Sequence, residues 1–485
     1  MSSSKSPAPG SPASPFAVTS PADILSYVPH ALGFMPGRSL VVLTTSGRRL
    51  GATLRVDLPP DGADARAFAA GVLSFLRGDA GADGTLVIVY SDEEWVRLAP
   101  APHQGLVLAL EAVLEAAGLP VRAGWFVSAA GWRDYFCRDD ACCPWPGQPL
   151  DGLAYSALNA ELIFRGSAFD ASAPAAVLRA APAVARGGLA SEADRRAIED
   201  AQAHFAACCS GHWTSGSQFL ATSGVWDAVL LIPEEFGAGT EPEVAGFLLA
   251  SIESRTVRDF LFVSACLGSA PALGGASACG LSGSRGSSDG EAGVGGPEAG
   301  GDGGPVVRDE PARGPAAPGF PVLPAVRGTG GWSVRLGAAV DGARSAGTAA
   351  PRGATAADPQ VREPGDAGCG GDAATLYADV LAGRFTGMIA WARVDAMSQV
   401  LAQLAAVAEG ESRAAALTMS GWFEYARGRG SRAAVFLDAA EEAVPGYRLA
   451  RLLAELLRRG GLPAWARRRS TAWTADPGRA EHGAE

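Results

Sequence analysis

The sequence predicts an α/β domain, built as a mixed sheet with flanking helices, followed by an all-α helical bundle at the C-terminus. Short β-rich runs alternate with helical stripes over the first 150 residues, which is typical of an α/β sheet, and mostly helical patterns follow. A Gly/Ala/Pro/Ser-rich segment between the two parts buries too little apolar surface to offset the entropy of ordering, and is predicted to be a disordered linker. The predicted limits are 1–19 for a disordered leader, 20–150 for the α/β domain, 151–267 for a helical extension of that domain, 268–372 for the linker, 373–466 for the bundle and 467–485 for a disordered tail.

Composition and charge exclude several classes of function. The chain has 485 residues, a hydrophobic fraction of 48% and a formal net charge of −11. Phosphate binding needs a basic face, so nucleic acid is not expected as the main partner. The N-terminal residues lack the apolar core of a signal peptide, and no window approaches the roughly 18 apolar residues that span a membrane. We therefore expect a cytoplasmic protein that binds neither nucleic acid nor membrane, with its thiols reduced.

The first helix is predicted from Pro21 to Tyr27, because Ser20 or Thr19 can cap it and Pro29 is expected to end it. The strands predicted after it are 39–45, 50–58, 85–90 and 123–127, and the helices between them are 62–77 and 104–117. The first two strands read as a hairpin. The third, TLVIVY, is apolar throughout, as expected for a strand covered on both faces.

The helical extension contains one clear start signal and two ambiguous stretches. Ser191–Asp194 resembles a capping box and predicts a helix that ends near Cys208. Residues 225–232 fit a short strand or a buried helix equally well. Residues 241–266 form a long apolar helix candidate that a break near Arg255 would divide.

The C-terminal bundle is predicted from five helical patterns separated by Gly and Pro. They are residues 374–382, 393–408, 412–427, 431–443 and 447–459. Gly421, Ala433, Ala440 and Pro445 follow the spacing of a tetratricopeptide unit, but the aromatic positions are one place off. Because such arrays generally need three or more repeats, a small helical bundle is favoured over a repeat array.

The most distinctive stretch is WRDYFCRDDACCPWPG, residues 132–147, which brings Cys137, Cys142 and Cys143 within seven residues. Zinc favours thiolate ligands in tetrahedral sets of four, so these three cysteines are the candidate ligands of a zinc site. The candidates for a fourth ligand lie in the run CCSGH, at Cys208, Cys209 and His212.

Two other interpretations of the cysteines stay open. Half-buried thiols that pack a Pro–Trp loop are the most frequent use of such residues. A redox-responsive set is the other; Arg138 would lower the pKa of a nearby thiol, while Asp139 and Asp140 would raise it.

Several catalytic signatures are missing from the sequence. Lys5 is the sole lysine, which removes a P-loop lysine and, from the folded part, a pyridoxal Schiff base. There is no G-x-S-x-G and no H-E-x-x-H. No catalytic residue and no binding residue for an organic cofactor is therefore predicted.

Two pairs of opposite charges are expected to be structural. Arg55 and Asp57 alternate along a strand and lie on the same side of it, which favours an ion pair at a sheet edge. Arg258 and Asp259 are neighbours in a predicted helix, and an ordinary helix ion pair is favoured there as well.

Three stretches taken together resemble a known family. They are LGFMP (32–36) with SLVV (39–42) and RVDLP (55–59), the cysteine run up to Pro144, and PGYRLA (445–450). This set is similar to the actinobacterial family called domain of unknown function 4192, over about residues 20–267 and 373–465. The resemblance implies an actinobacterial cytoplasmic protein. It supplies no activity, substrate or catalytic residue.

The absence of catalytic motifs, the predicted long linker and the repeat-like helices favour a non-enzymatic interaction or regulatory protein with an unidentified protein partner. The alternative is a metal-binding or thiol-dependent enzyme, or a redox sensor, that uses Cys137, Cys142 and Cys143 with zinc as the possible metal.

Overall fold

The structure is a computed structural model. It describes residues 18, 20–139, 141–180, 191–234, 236–237, 241–281, 321–326, 333–334, 336–338, 341, 369–459, 461–468 and 470–474. Most of the predicted leader, most of the predicted linker and the end of the predicted tail lie outside these residues. The described residues fall into two compact units, one up to Ala180 together with residues 466–474, and one from residue 191 to Trp465.

The first unit is built on a five-stranded sheet. Its strands are β1 (Ser39–Ser46), β2 (Arg49–Asp57), β3 (Gly84–Tyr90), β4 (Val121–Ser128) and β5 (Gly131–Asp134). Their order is β2-β1-β3-β4-β5, so β3 is central. β3 pairs in parallel with β4, and the other neighbours are antiparallel. The predicted mixed sheet with a hairpin at one edge is confirmed.

Helices cover both faces of the sheet. The helices of this unit are α1 (Pro21–Leu32), α2 (Ala65–Leu76), α3 (Gln104–Ala116), α4 (Asp151–Ala154), α5 (Ala157–Phe164) and α6 (Ala173–Ala180). Side chains alternate along β1, so Leu40 and Val42 pack with α2 and α3, while Val41 and Leu43 pack with α1. All seven residues of β3 are buried, as predicted for a strand covered on both faces. Each large aliphatic side chain buried here contributes about 1.5–3 kcal/mol.

Helix α1 begins as predicted and ends later. The Ser20 hydroxyl accepts the Asp23 amide, and the Asp23 carboxylate accepts the Ser20 amide in return, which forms a capping box. The prediction that Pro29 ends the helix is wrong, because Val28 and Pro29 are buried and this packing outweighs the local preference. The helix ends at Gly33, whose positive φ of 80° suits a C-terminal cap.

The second unit is helical. Its helices are α7 (Glu192–Cys208), α8 (Gly216–Leu231), α9 (Pro242–Glu253), α10 (Arg255–Leu267), α11 (Ser269–Ala278), α12 (Cys369–Leu381), α13 (Trp391–Val407), α14 (Gly410–Ala426), α15 (Gly430–Ala443) and α16 (Arg448–Arg458). The capping box at Ser191 and the helix end at Cys208 are confirmed. Residues 225–231 belong to a helix, and Ser254 supplies the break predicted near Arg255.

The contacts join helices from both sides of the predicted linker. Arg393 on α13 donates to Ser264 on α10 and Ser269 on α11, and also pairs with Asp227 on α8. A backbone hydrogen bond of 2.8 Å joins the Ala390 amide to the carbonyl of Cys266. Residues 191–281 and 369–465 therefore form one unit, whereas the sequence assigned residues 191–267 to a helical extension of the α/β domain.

The start of the predicted linker is corrected by helix α11. Residues 269–278 were assigned to the linker because of their Gly and Ala content. In the structure they are helical and pack against α10 and α12, with Ala272 and Ala276 fully buried. Small residues permit this close helix contact, so the same composition that suggests disorder here serves packing.

Candidate functional site

The three predicted metal-ligating cysteines lie together. The Sγ atoms of Cys137, Cys142 and Cys143 are all within 4.8 Å of one another. Those of Cys142 and Cys143 are 4.0 Å apart. Cys142 is exposed and the other two are half-buried. The cluster sits on the loop that follows β5, and we call residues 135–147 the cysteine loop.

A pair of backbone hydrogen bonds closes the cysteine loop at its base. The Trp132 amide donates to the carbonyl of Gln148 at 2.9 Å, and the Gln148 amide donates back at 2.7 Å. Gly131 and Gly147 flank this bridge with φ values of 142° and 153°. A Cβ atom at Gly147 would lie 2.6 Å from the Trp132 carbonyl oxygen, and one at Gly131 would lie 2.5 Å from that of Gln148. Both positions therefore require glycine.

Hydrogen bonds to two aspartates shape the inside of the loop. One carboxylate oxygen of Asp134 accepts the amides of Phe136 and Cys137, both at 2.8 Å. The backbone carbonyl of Asp139 accepts the Cys143 amide at 2.8 Å. These turns fold the chain back on itself and bring Cys137 towards Cys143.

A buried arginine ties the cysteine loop to the core. The guanidinium carbon of Arg133, on β5, lies 4.8 Å from the ring centroids of both Trp95 and Trp145. The two rings are nearly perpendicular, so the cation occupies the corner between them. Arg133 is only 5% exposed, and desolvated cation–π contacts of this kind contribute about 2 kcal/mol. Trp145 belongs to the loop, which is thereby held against the sheet.

The surroundings of Cys143 favour its neutral thiol in the absence of a cation. Burial, together with hydrogen bonds to Cys137 and Cys142, raises the pKa of the Cys143 thiol to about 12. A bound metal ion would reverse this preference, because its charge stabilises coordinated thiolates.

The three predicted candidates for a fourth ligand, Cys208, Cys209 and His212, belong to the second unit. Among the described residues, the group of nearby His, Cys, Asp and Glu side chains that contains the cluster ends at the cluster's three cysteines. Cys208 instead lies 3.7 Å from Nε2 of His204, on its own helix. Cys209 is fully buried, and burial raises the pKa of its thiol to about 12. His212 lies in the turn after that helix.

A second site in the first unit was missed from the sequence. A cavity of about 360 Å³ lies beyond the carboxyl end of β3, between residues 58–61 and 91–93, and is also lined by Arg38 and His103. His103 Nε2 is 3.1 Å from the Ser91 hydroxyl oxygen. The only signals in the sequence were a serine directly after a buried strand and a histidine directly before a helix, and neither is specific.

The expected ion pairs have different outcomes. Arg55 contacts Asp57 at 2.6 Å on the edge strand β2, which confirms the first. Arg258 donates to the Tyr447 hydroxyl at 2.6 Å and to the Ile252 carbonyl at 3.1 Å. Its partners therefore come from packing between helices, where the sequence favoured Asp259.

The fold and the cysteine loop define the chain as an α/β protein with a three-layer sheet unit, an additional helical unit and a surface thiol cluster. The chain belongs to the family described as Domain of unknown function (DUF4192), whose model matches residues 21–273 and 332–464. No curated protein matches the chain, and no solved structure does either. In the part of the chain that the structure describes, no helix has the length and apolarity needed to cross a membrane.

Proposed function

We propose that Cys137, Cys142 and Cys143 bind one zinc ion through three thiolates, and that this site makes the chain a metal-responsive regulatory protein. The observation that carries the proposal is the mutual approach of the three Sγ atoms to within 4.8 Å. Three soft ligands at this spacing on one short loop suit zinc better than a hard cation.

The separations of the sulfur atoms are close to those of a zinc site. With Zn–S bonds of about 2.3 Å in a tetrahedron, sulfur ligands lie about 3.8 Å apart. Cys142 and Cys143 are already at 4.0 Å. The remaining separations need to shrink by about 1 Å at most, which small side-chain rotations within one rotamer well can provide.

The fourth coordination position is open to solvent in this proposal. No further His, Cys, Asp or Glu in the described residues joins the cluster, and Cys142 is exposed. Zinc sites with three protein ligands take water or an exogenous ligand in the fourth position. Three thiolates also outweigh the charge of Zn²⁺ by one unit, so the bound ion is a weak Lewis acid. This balance favours metal exchange and sensing over hydrolysis.

Metal binding would hold Cys137 against Cys142 and Cys143 and so fix the surface of the cysteine loop. A partner that contacts this surface would then respond to metal. We expect the unidentified protein partner predicted from the sequence to bind the metal-bound and metal-free surfaces differently. This partner stays a prediction.

The test is the metal content of the full chain, purified without chelator and without an affinity metal. We expect about one zinc per chain, and at least about 100-fold weaker zinc binding when any one of the three cysteines is changed to serine. Cys279→Ser is the matched control, because Cys279 is also exposed but lies outside the cluster. Equal zinc content in the Cys137/Cys142/Cys143 triple variant, or no metal with freely titrating thiols, would overturn the proposal.

A further inference from the structure

The cavity at the carboxyl end of β3 contains a nucleophile beside a base. Ser91 directly follows the central strand, and its hydroxyl oxygen is 3.1 Å from His103 Nε2. The same oxygen accepts the Glu93 amide at 3.1 Å. Because the oxygen accepts the Glu93 amide, the hydroxyl hydrogen can be donated to His103 Nε2. This requires the His103 tautomer whose Nε2 carries no proton.

His103 is held in an unfavourable backbone conformation. Its φ of 58° lies in the left-handed region, which costs about 1–3 kcal/mol for a residue with a side chain. The His103 carbonyl accepts the amides of Leu106 and Val107, and the adjacent Pro102 carbonyl accepts the Tyr135 hydroxyl at 2.5 Å. These bonds hold the backbone at residues 102 and 103, and the contact with the Ser91 hydroxyl orients the imidazole. Strain of this kind concentrates at functional sites.

The lining of the cavity indicates what it can admit. A volume of about 360 Å³ is at the small end for ligand sites. Leu58, Pro59 and Pro60 supply an apolar wall. Three carboxylates, from Asp61, Asp92 and Glu93, outnumber the single guanidinium of Arg38. This lining repels an anionic substrate, and the apolar wall favours a small uncharged group against it.

We propose that Ser91 and His103 form a nucleophile–base pair that hydrolyses esters of small uncharged acyl groups. Ser91 Oγ attacks the carbonyl carbon, and its proton moves to His103 Nε2 as the Oγ–C bond forms. The proton then passes to the leaving alcohol as the ester C–O bond breaks. Water, giving a proton to His103, attacks the acyl-serine; the Oγ–C bond breaks and Ser91 recovers its proton. Acid and alcohol are the products.

The carboxylate near His103 differs from that of a serine protease triad. Glu93 lies 4.0 Å from Nε2, the nitrogen that faces Ser91, and not on the Nδ1 side. It can therefore stabilise the imidazolium that forms after proton transfer without fixing the tautomer. The site also lacks the G-x-S-x-G turn, so the arrangement is a dyad on a different scaffold.

The first experiment treats the full chain with a fluorophosphonate probe, which reacts with activated serines, and maps the label by mass spectrometry. We expect labelling at Ser91 and its loss in Ser91→Ala. His103→Asn should slow labelling at least about 100-fold, the usual size of general-base catalysis. Asparagine tolerates the left-handed conformation, so the fold is expected to persist, which circular dichroism checks. Glu94→Gln, an exposed change in the same loop, is the control and should label normally.

The second measurement is hydrolysis of p-nitrophenyl acetate and of a longer-chain ester by the same variants. Preference for the acetate, with loss in Ser91→Ala and His103→Asn, is the expected result. Removal of metal with a chelator should leave the labelling and the hydrolysis by the unmodified chain unchanged, which separates this proposal from the zinc site. Labelling of Ser91 that does not depend on His103, or neither labelling nor hydrolysis by the folded chain, would overturn it.

Discussion

At the scale of single residues, Arg133 determines how firmly the cysteine loop is attached. Its guanidinium meets both Trp95 in the loop after β3 and Trp145 in the cysteine loop. Two of its nitrogens, Nε and Nη1, are buried without a hydrogen-bond partner among the described residues. The contact with the two aromatic rings is thus the main compensation visible for this buried charge.

Arg133→Lys is expected to keep the charge and lose the planar contact with both rings. We predict a loss of about 1–2 kcal/mol in the free energy of unfolding of the first unit, from the value of desolvated cation–π contacts. Urea denaturation followed by tryptophan fluorescence measures it. Arg138→Lys, in the loop but outside the tryptophan corner, is the control. Equal stability of the two variants would show that the ring contacts contribute nothing.

The residues of the cysteine cluster are easier to predict from the sequence than Ser91 and His103 are. The three cysteines attract attention because they are dense in a short stretch. Ser91 and His103 are 12 positions apart, and the loop that joins them has no repeating pattern. Arg133 meets one tryptophan 38 positions before it and another 12 positions after it. Such contacts follow from the fold and leave no local signature.

At the scale of elements, the closure of the cysteine loop depends on glycine. Gly147→Ala would place a methyl group 2.6 Å from the Trp132 carbonyl oxygen at a φ of 153°. We predict that the bridge between Trp132 and Gln148 opens, at a cost of about 1–3 kcal/mol in stability, and that zinc binding weakens with it. Gly152→Ala is the matched control, since nothing lies within 4 Å of its added methyl group.

Isothermal titration with zinc and urea denaturation of both variants test this prediction. Gly152→Ala should match the unmodified chain in both measurements, or gain slightly in stability, because alanine favours helix α4. Unchanged zinc affinity in Gly147→Ala would mean that the loop closes without its glycine bridge, and would contradict the role assigned to the bridge.

Elements with strong local signals could be predicted from the sequence. The continuous apolar run of β3 and the capping box at Ser191 have the bounds that their patterns indicate, within a residue or two. Helix α1 and helix α11 could not be predicted so well. Pro29 in α1 and the glycines Gly274 and Gly275 in α11 are unfavourable for a helix, and packing against neighbouring elements outweighs that local preference.

At the scale of the whole molecule, the division into units could not be predicted from composition. The Gly-rich segment separates two helical stretches in the sequence, yet Arg393 and Ala390 join them in one unit. The composition of a linker does not determine which helix faces on its two sides pack against each other. The faces that do meet are apolar and buried, as in the contact of Phe262 on α10 with Trp422 on α14.

This joined helical unit contains half-buried carboxyl groups whose ionisation opposes folding. Burial raises the pKa of Asp259 above its usual value, and Arg258 and Arg255 offset this only in part. Burial also raises the pKa of Glu253. A carboxyl whose pKa is raised on folding contributes stability below its pKa in the unfolded chain, and this contribution is lost as the pH rises through its pKa in the folded chain.

Asp259→Asn cannot ionise and should therefore escape this loss. We predict that its urea midpoint exceeds that of the unmodified chain at neutral pH, and that the difference shrinks towards zero as the pH falls below about 4, the usual pKa of aspartate. Glu199→Gln, which removes one negative charge from the exposed face of α7, controls for net charge. A difference that stays constant from acidic to neutral pH would show that Asp259 ionises as freely in the folded unit as in the unfolded chain. Burial would then have no effect on its pKa, and the close packing of α10 within the helical unit would have to be more open to water than the structure indicates.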